Sequence, residues 1–363
     1  MANKFSYEWT LKDAVFTKDK GKVFSCFSCG GGSSMGYKLA GFDVVGCNEI
    51  DPRMMNMYIE NHHPKYTFLE GIQTFKQRED LPEELYNLDI LDGSPPCSTF
   101  SMSGQREDAW GKMKKFREGQ AEQILDTLFF DFIDLAEKLQ PKVVVAENVK
   151  GLIQGSARDY VRRIYQGFED AGYVCQHFLL NASKMGVPQE RERVFFICVR
   201  RDLMVNLKTR KTLFDEYPIL DMDFNEEPIL FKEIADGLGD EVKSYKIRTC
   251  WDSKKEGDKC IADANMRVFG KGSMFNNTYV FPDKVCPTVT AHKDSLIRYD
   301  IPNYLSQSEV CKASTFPLDY DFMGRIPHYV CGMSVPPVMM AQVASRIYEQ
   351  WLSKITCGGG KQN

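Results

Sequence analysis

The sequence of 363 residues contains no apolar run of membrane-spanning length. Its longest, such as Val194-Phe195-Phe196-Ile197-Cys198-Val199, are strand-sized and far below the roughly 20 residues that a bilayer-crossing helix needs, so a soluble protein is expected. It also lacks an excess of either charge: 46 Lys and Arg against 50 Asp and Glu leave a net charge of −4. Nothing in that total marks a nucleic-acid binder. The opening Met1-Ala2-Asn3-Lys4-Phe5 forms no apolar h-region, so no secretory signal is expected, and the twelve cysteines read as reduced thiols of a cytoplasmic protein rather than a disulfide framework. Gly-x-x-x-x-Gly-Lys-Ser/Thr is absent, which excludes a triphosphate P-loop. No metal site is expected: Cys26-x-x-Cys29 has half-site spacing but no second Cys/His pair nearby. There are no internal repeats. What remains is ordinary globular composition, 43% apolar and 26% charged, long enough for two domains or for one large domain with an insertion.

Apolar segments alternate with helical ones over the first two hundred residues. Val23–Phe27 reads as a buried strand, followed by a glycine turn and a helical stretch to Leu39. Phe42–Cys47 is a second strand, and Pro52 is placed to start a helix over Arg53 to Asn61. Leu88–Leu91 and Val143–Ala146 read as strands, Ala121–Leu139 and Asp159–Ala171 as helices, and Tyr173–Leu180 and Val194–Val199 as strands. This alternation predicts a parallel-rich α/β sheet covered on both faces, with ligands beyond the carboxyl ends of its strands. From about Asp202 to Pro287 the pattern is irregular and polar, which suggests a second, smaller domain. Val335–Trp351 then reads as a closing amphipathic helix, with Val338, Val343, Ile347 and Trp351 on its apolar face.

The residues able to carry chemistry follow the predicted strands. Gly30-Gly31-Gly32 lets a ligand approach the backbone, and Glu49, at the end of the next strand, offers a carboxylate to two ribose hydroxyls. Together they suit an adenosine-containing cofactor; the plainer alternative is a tight turn plus a surface carboxylate. In Asp92-Gly93-Ser94-Pro95-Pro96-Cys97-Ser98-Thr99-Phe100-Ser101, two prolines fix the backbone just before a thiol flanked by small residues. Cys97 is therefore the candidate nucleophile. Glu147, directly after Val143–Val145, would be partly desolvated at a strand end, where it would hold a proton and donate it; a loop or helix-capping carboxylate is the alternative. Arg191 and Arg193, two apart on a predicted strand, would share a face and converge on one site, unless they are simply solvated.

Taken in chain order, Phe27 with the glycine turn, Glu49, Pro95-Pro96-Cys97, Glu147-Asn148-Val149 and Gln189-x-Arg191-x-Arg193 resemble the DNA (cytosine-5) methyltransferase family, bacterial or phage type. Tyr304-Leu305-Ser306 and Gly332-Met333-Ser334-Val335 look like its last two blocks. The resemblance spans about Val23–Trp351. It implies a Rossmann-like S-adenosylmethionine-dependent methyltransferase sheet with an inserted smaller target-recognition domain: 20–201 plus 288–355 catalytic, 202–287 target-recognising, 1–19 a leader and 356–363 a flexible tail. The implied reaction is sequence-specific methyl transfer to C5 of a flipped-out cytosine in double-stranded DNA through a covalent Cys97–C6 adduct, with S-adenosylhomocysteine as product. Glu147 would neutralise N3, and Arg193 with Arg191 would hold the base or support the loop carrying Cys97. The cofactor would lie against Phe27, Ser28, Cys29, Gly30, Gly32, Glu49, Ile50, Gly71, Ile72, Pro95, Met333, Ser334 and Val335, and DNA against Ser98, Ser101, Gly104, Arg106 and Gln189. A monomer is implied, with a cognate restriction endonuclease as a candidate partner at the same DNA site.

Four positions depart from the family pattern. Cys29 and Ser98 replace a glycine and a glutamine, Gly71 stands where an aspartate commonly binds the adenine amino group, and Met333 replaces an asparagine. Nucleophile and acid are intact, so an active enzyme with a non-standard cofactor grip is predicted. Two other readings share most of the motifs: a tRNA cytosine-5 methyltransferase of the same family, and an inactive DNA-binding homologue.

Overall fold

The computed structural model describes residues 3–96, 127–154, 157–211 and 216–357. They fall into two compact units, one of Val15–Leu180, Glu192–Asp223 and the residues from Met340, the other of residues up to Ala14, Asn181–Arg191 and Phe224–Met339.

The first unit is built on a seven-stranded sheet. Its strands are β1 (Lys22–Cys26), β2 (Asp43–Glu49), β3 (Tyr66–Leu69), β4 (Ile90–Gly93), β5 (Val143–Val149), β6 (Tyr173–Asn181) and β7 (Glu192–Arg200), in the order β3-β2-β1-β4-β5-β7-β6. Pairing is parallel from β3 through β5, and β7 runs antiparallel to β5. The parallel-rich expectation therefore needs β7 added as a strand antiparallel to β5. That partner also explains why β5 continues to Val149 instead of stopping at Ala146: Glu147, Asn148 and Val149 pair with Phe195, Val194 and Arg193. β1 ends one residue earlier than expected because Phe27 turns to φ 54°, which no strand tolerates. β3 carries an alternating pattern over only four residues, too short to stand out in the sequence.

Helices cover the sheet for reasons written in their sequences. α1 (Gly32–Leu39) follows the glycine turn; α2 (Pro52–His62) starts with Pro52 behind Asp51, whose carboxylate accepts the Arg53 N–H at 2.9 Å, and ends at His63 in the left-handed region just before Pro64. α3 (Ile72–Phe75) is a single turn. α4 (Leu128–Leu139) buries Leu128, Phe129, Phe132, Leu135, Ala136 and Leu139, at helical spacing; residues 121–126 of the helix expected there lie outside the described residues. α5 is Arg158–Asp170. The core gathers Phe24, Phe75, Leu91, Phe129, Phe132, Val144, Ile164 and Phe196. Two short strands, β8 (Thr209–Lys211) and β9 (Glu216–Pro218), pair antiparallel.

The second unit contains α6 (Phe231–Ile234), α7 (Tyr245–Asp252), α8 (Ile261–Phe269), the parallel strands β10 (Thr278–Val280) and β11 (Leu296–Arg298), α9 (Gln307–Ala313) and α10 (Pro327–Met333). Its small core includes Val242, Cys250, Ile261, Tyr279, Ile297 and Tyr304. The unit takes in 181–191 and 288–339 besides most of the irregular 202–287 segment, while 202–223 packs with the sheet. Residues 3–14 of the expected leader are tied down within it: Trp9 Nε1 donates to the Thr315 carbonyl at 2.9 Å, and Asp319 accepts the N–H groups of Leu11 and Lys12. The closing helix begins at Pro337 and runs as α11 (Pro337–Ile347) into a π-type turn at Tyr348–Leu352. Among the described residues no helix is long and apolar enough to cross a membrane.

Candidate active site

The strand order reverses between β1 and β4, and an open α/β sheet binds ligands beyond the carboxyl ends of its strands at such a point. Both exits carry the predicted motifs. Leaving β1, Phe27 (φ 54°), Cys29 (φ 46°) and Gly31 (φ 75°) are all left-handed, which coils the chain into a turn closed by the Gly31 N–H on the Ser28 carbonyl at 2.8 Å. Glu49, at the end of β2, ties this turn to the next helix. Its Oε2 accepts the Cys29 N–H at 2.8 Å and its Oε1 accepts those of Ile50 and Asp51, each at 2.9 Å. Burial raises its pKa, and the three backbone donors oppose that rise. Three N–H groups thus fix the carboxylate while leaving acceptor capacity for hydroxyl donors. Gly71 caps α3 with its backbone only, beside Ile50, whose Cδ1 lies 3.6 Å from where a Cβ at 71 would stand. Ile72, expected at the cofactor, is 2% exposed and belongs to the core.

The exit of β4 rests on a buried carboxylate. Asp92 accepts hydrogen bonds from Ser25 Oγ on β1 at 2.8 Å and from the Tyr37 hydroxyl on α1 at 3.2 Å. Burial, with no cation paired to it among the described residues, pushes its pKa up to about 7, although both hydroxyls pull it down. Two residues before the expected nucleophile, the Pro95 carbonyl accepts Asn148 Nδ2 at 3.0 Å. Cys97, Ser98, Ser101, Gly104 and Arg106 lie outside the described residues.

Asn148 follows Glu147 on β5. Glu147 does not sit among apolar groups alone: its Oε1 is 2.9 Å from Arg193 Nε on β7, in a pair only 10% and 16% exposed at the side chains. Burial lowers the Arg193 pKa while Glu147 raises it. The expectation that Arg191 and Arg193 converge is corrected. The strand begins at Glu192, so the alternation rule does not reach Arg191. Arg191 instead donates to the carbonyls of Val289 at 3.1 Å and Gly332 at 2.9 Å within the second unit.

Gln189 is likewise fully buried there. Its amide N–H groups go to the Ala313 carbonyl and Ser314 Oγ, and its oxygen accepts the Val289 N–H, so a buried hydrogen-bond network engages it. Gly332 permits close approach, since a Cβ would come 2.3 Å from the Thr290 carbonyl carbon. Next to it, the Ser334 hydroxyl is buried with no hydrogen-bond partner, beside Met333 and the buried Val335.

Sequence reasoning missed three residues. Asp92 had a legible signal, a carboxylate inside an apolar strand. Asn148 is legible in the sequence only as part of the Glu147-Asn148-Val149 motif, and its grip on Pro95 needs the fold. His62, the last residue of α2, is buried, stacks on Tyr58 at 4.1 Å between ring centroids, and backs the glycine turn so closely that a Cβ at Gly31 would lie 2.0 Å from its Nε2. Among the described residues no group of three or more His, Cys, Asp or Glu side chains is placed to hold a metal ion.

A seven-stranded sheet with an antiparallel β7, a glycine turn after β1 and an acidic residue closing β2 define a Rossmann-like S-adenosylmethionine-dependent methyltransferase fold. Within that class the chain belongs to the C-5 cytosine-specific DNA methylase family, whose profile matches residues 21–349. It is 36% identical over 255 residues to the Type II methyltransferase M.FnuDI of Fusobacterium nucleatum, covering 69% of this chain and 64% of that protein. To the Type II methyltransferase M.DdeI of Desulfomicrobium norvegicum it is 27% identical over 383 residues, covering 90% and 88%. The chain thus spans just under two thirds of M.FnuDI and most of M.DdeI. Two solved structures share the fold: Spodoptera frugiperda DNMT2, with TM-score 0.62, 17% identity and coverage of 90% and 99%, and S. pombe Dnmt2 methyltransferase, with TM-score 0.56, 15% identity and coverage of 91% and 98%.

Proposed function

We propose that the chain is a sequence-specific DNA cytosine-5 methyltransferase acting as a monomer on double-stranded DNA in the cytoplasm, with 20–201 plus 288–355 as catalytic domain and base reading within 202–287. The observation that carries the reading is the exit of β5: Asn148 holds the Pro95 carbonyl of the Pro-Pro-Cys loop while its neighbour Glu147 presents a carboxylate paired with Arg193. One strand end thus steadies the nucleophile's loop and supplies the group that meets the base.

In this reading the Cys97 thiolate adds to C6 of a flipped cytosine, and the electron density that moves onto the ring makes C5 nucleophilic. Glu147 shares a proton with N3 as charge builds there, and Arg193 keeps Glu147 oriented. When bound, S-adenosylmethionine supplies the electrophilic methyl group. The turn 27–32, with Glu49 for the ribose and Ile50 and Phe27 for the apolar parts, would hold it, and the Glu49 carboxylate, fixed at the end of β2 beside that turn, fits that group. After C5 is methylated its proton is lost and the C6–S bond breaks, which returns the thiolate. Gln189 and Arg191 position the Val289 and Gly332 backbones.

The test is to express the protein, digest host DNA and tRNA to nucleosides, and measure 5-methylcytosine by mass spectrometry beside Cys97→Ser. Enrichment in DNA that Cys97→Ser abolishes is expected; enrichment confined to tRNA, or none in either, overturns the proposal. With S-adenosylmethionine present, a duplex with 5-fluorocytosine at the target should be trapped covalently by the wild type, because the methylated C5 then carries fluorine and no proton to lose.

A further inference from the structure

One face of the seven-stranded sheet carries a short polar row at the carboxyl ends of its strands. Phe24, Leu91, Val144 and Ala146 point into the core that α4 and α5 complete, so by alternation Ser25, Asp92, Val145 and Glu147 point the other way. Ser25 is paired with Asp92, and Asp92 with Val145. Glu147, two residues further along β5, is therefore the diagonal neighbour of Asp92 on that face. On its other side Glu147 meets Arg193 of β7. The row reads Ser25, Asp92, Glu147, Arg193 from β1 to β7, with the Tyr37 hydroxyl of α1 laid on Asp92.

Two carboxyls share one guanidinium in this row, and they do not share it equally. Glu147 is in contact with Arg193. Asp92, 1% exposed, has two hydroxyl donors, and among the described residues no cation pairs with it. A carboxylate so placed is costly to ionise, and a second negative charge beside Glu147 makes it costlier. The groups that bear on Asp92 are Ser25 and the Cys26 thiol of β1, Tyr37 of α1 and Glu147 of β5, with Arg193 of β7 behind Glu147. Burial raises Cys26 and Tyr37 well above their ordinary values, so neither changes charge near neutral pH. Asp92 does: burial first, with the Glu147 charge adding to it, pushes its pKa up to about 7 against the pull of the two hydroxyls.

We infer that Asp92 is a positioning residue for methyl transfer: fixed by Ser25 and Tyr37 and carrying no charge of its own, it leaves Glu147 the one carboxylate of the row, with Arg193 on one side and the incoming base on the other. The inference rests on the methyltransferase reading. Addition of the Cys97 thiolate forms the S–C6 bond and carries one negative charge onto the ring. That charge rests at N3 or, once N3 has taken the Glu147 proton, on Glu147. Either way it arrives at the Glu147 end of the row. An uncharged Asp92 tolerates it, whereas an ionised Asp92 repels it, and a like charge one strand away in a protein interior slows such a step about 10-fold.

The experiment uses the full chain, saturating S-adenosylmethionine and a duplex carrying a site that bisulfite sequencing shows the wild type to methylate. Single-turnover methylation is measured from pH 6 to pH 8.5 for wild type, Asp92→Asn and Tyr37→Phe, with S-adenosylmethionine affinity at each pH. Taking the ratio of two rates at one pH cancels the titration of Cys97 that both proteins share. The ratio of the Asp92→Asn rate to the wild-type rate should rise about 10-fold over the range, with its bend near pH 7. Tyr37→Phe removes a hydroxyl that favours ionised Asp92, so its bend relative to Asp92→Asn should move to higher pH. A residue that only packs the strands would change stability or cofactor affinity and leave no such bend. A ratio that stays constant with pH overturns the inference, as does a Tyr37→Phe bend at the wild-type pH or below it. A wild type that leaves DNA unmethylated at every pH instead sinks the methyltransferase reading itself.

Discussion

Arg193 Nε reaches from β7 to within 2.9 Å of Glu147 Oε1 on β5, and both side chains are largely withdrawn from solvent. Removing one member of such a pair strands the other's charge and costs about 3–5 kcal/mol, so Glu147→Ala confounds catalysis with folding. Glu147→Gln keeps the shape and an acceptor for Arg193 but cannot lend a proton to the base as a carboxylic acid does. Single-turnover methylation by Glu147→Gln should fall by about 10²–10⁴ with S-adenosylmethionine affinity held. A rate near wild type would remove Glu147 from the chemistry.

Asp92 gives a prediction for stability. Its pKa stands near 7 against an unperturbed 3.8, with burial the leading cause and Glu147 adding to it. The native state therefore holds this proton more tightly than the unfolded chain does, so ionising Asp92 destabilises the fold. The penalty is absent below about pH 4, grows as pH rises and is complete above about pH 7; three pKa units set its ceiling at about 4 kcal/mol. Asp92→Asn removes it, so the variant should gain stability relative to wild type from pH 4 to pH 8 in urea melts. A difference between the two proteins that stays constant over that interval would refute the assignment.

The pieces legible in the sequence were those whose physics is local. Glycine after a strand, Pro52 at a helix start and the apolar run of β5 each report their own backbone, and they placed Glu49, Pro95 and Glu147 at strand ends. Pairings between distant segments were not legible. Nothing near Arg191 says that its guanidinium will meet the carbonyls of Val289 and Gly332, 98 and 141 residues away, and the two-residue spacing to Arg193 suggested a shared face that the strand's actual start removes. His62 was hidden for the same reason, since its role depends on α2 folding back beneath the glycine turn.

That contact is testable through Gly31. A methyl group there meets two obstacles, the left-handed φ of 75° and His62 Nε2 at 2.0 Å. His62 is held well below its ordinary pKa, by burial first and by Lys38 next, so it stands as a neutral, packed ring. Gly31→Ala should lower stability by about 2 kcal/mol or more and weaken S-adenosylmethionine binding. Adding His62→Ala removes the collision but not the backbone strain, so the double variant should regain part of the binding and keep a deficit of about 1 kcal/mol. Calorimetric titration of the three variants checks this; strictly additive losses would mean that the ring does not support the turn.

Gly71 offers the opposite kind of change, one expected to improve binding. It is the cap residue of α3, with extended φ and ψ of −66° and 148°, and it contributes no side-chain hydrogen bond. Aspartate adopts that conformation without strain and caps a helix by about 0.5–2 kcal/mol relative to a residue that cannot, while glycine falls only a few tenths short of it. The site has room: a Cβ at 71 meets only Gln73 Oε1 at 3.1 Å, the mobile end of a side chain, and Ile50 Cδ1 at 3.6 Å. By resemblance an aspartate here would also accept a hydrogen bond from the adenine amino group, and a charged acceptor in such a bond contributes about 1.5–3 kcal/mol. Gly71→Asp should therefore lower the Kd for S-adenosylmethionine by roughly 10-fold and leave the single-turnover methylation rate unchanged, because the gain is made equally before and during methyl transfer. S-adenosylhomocysteine, which carries the same adenosine, should tighten in parallel. If neither ligand binds more tightly while the thermal midpoint rises, the side chain caps α3 without touching the cofactor, and the adenine lies elsewhere.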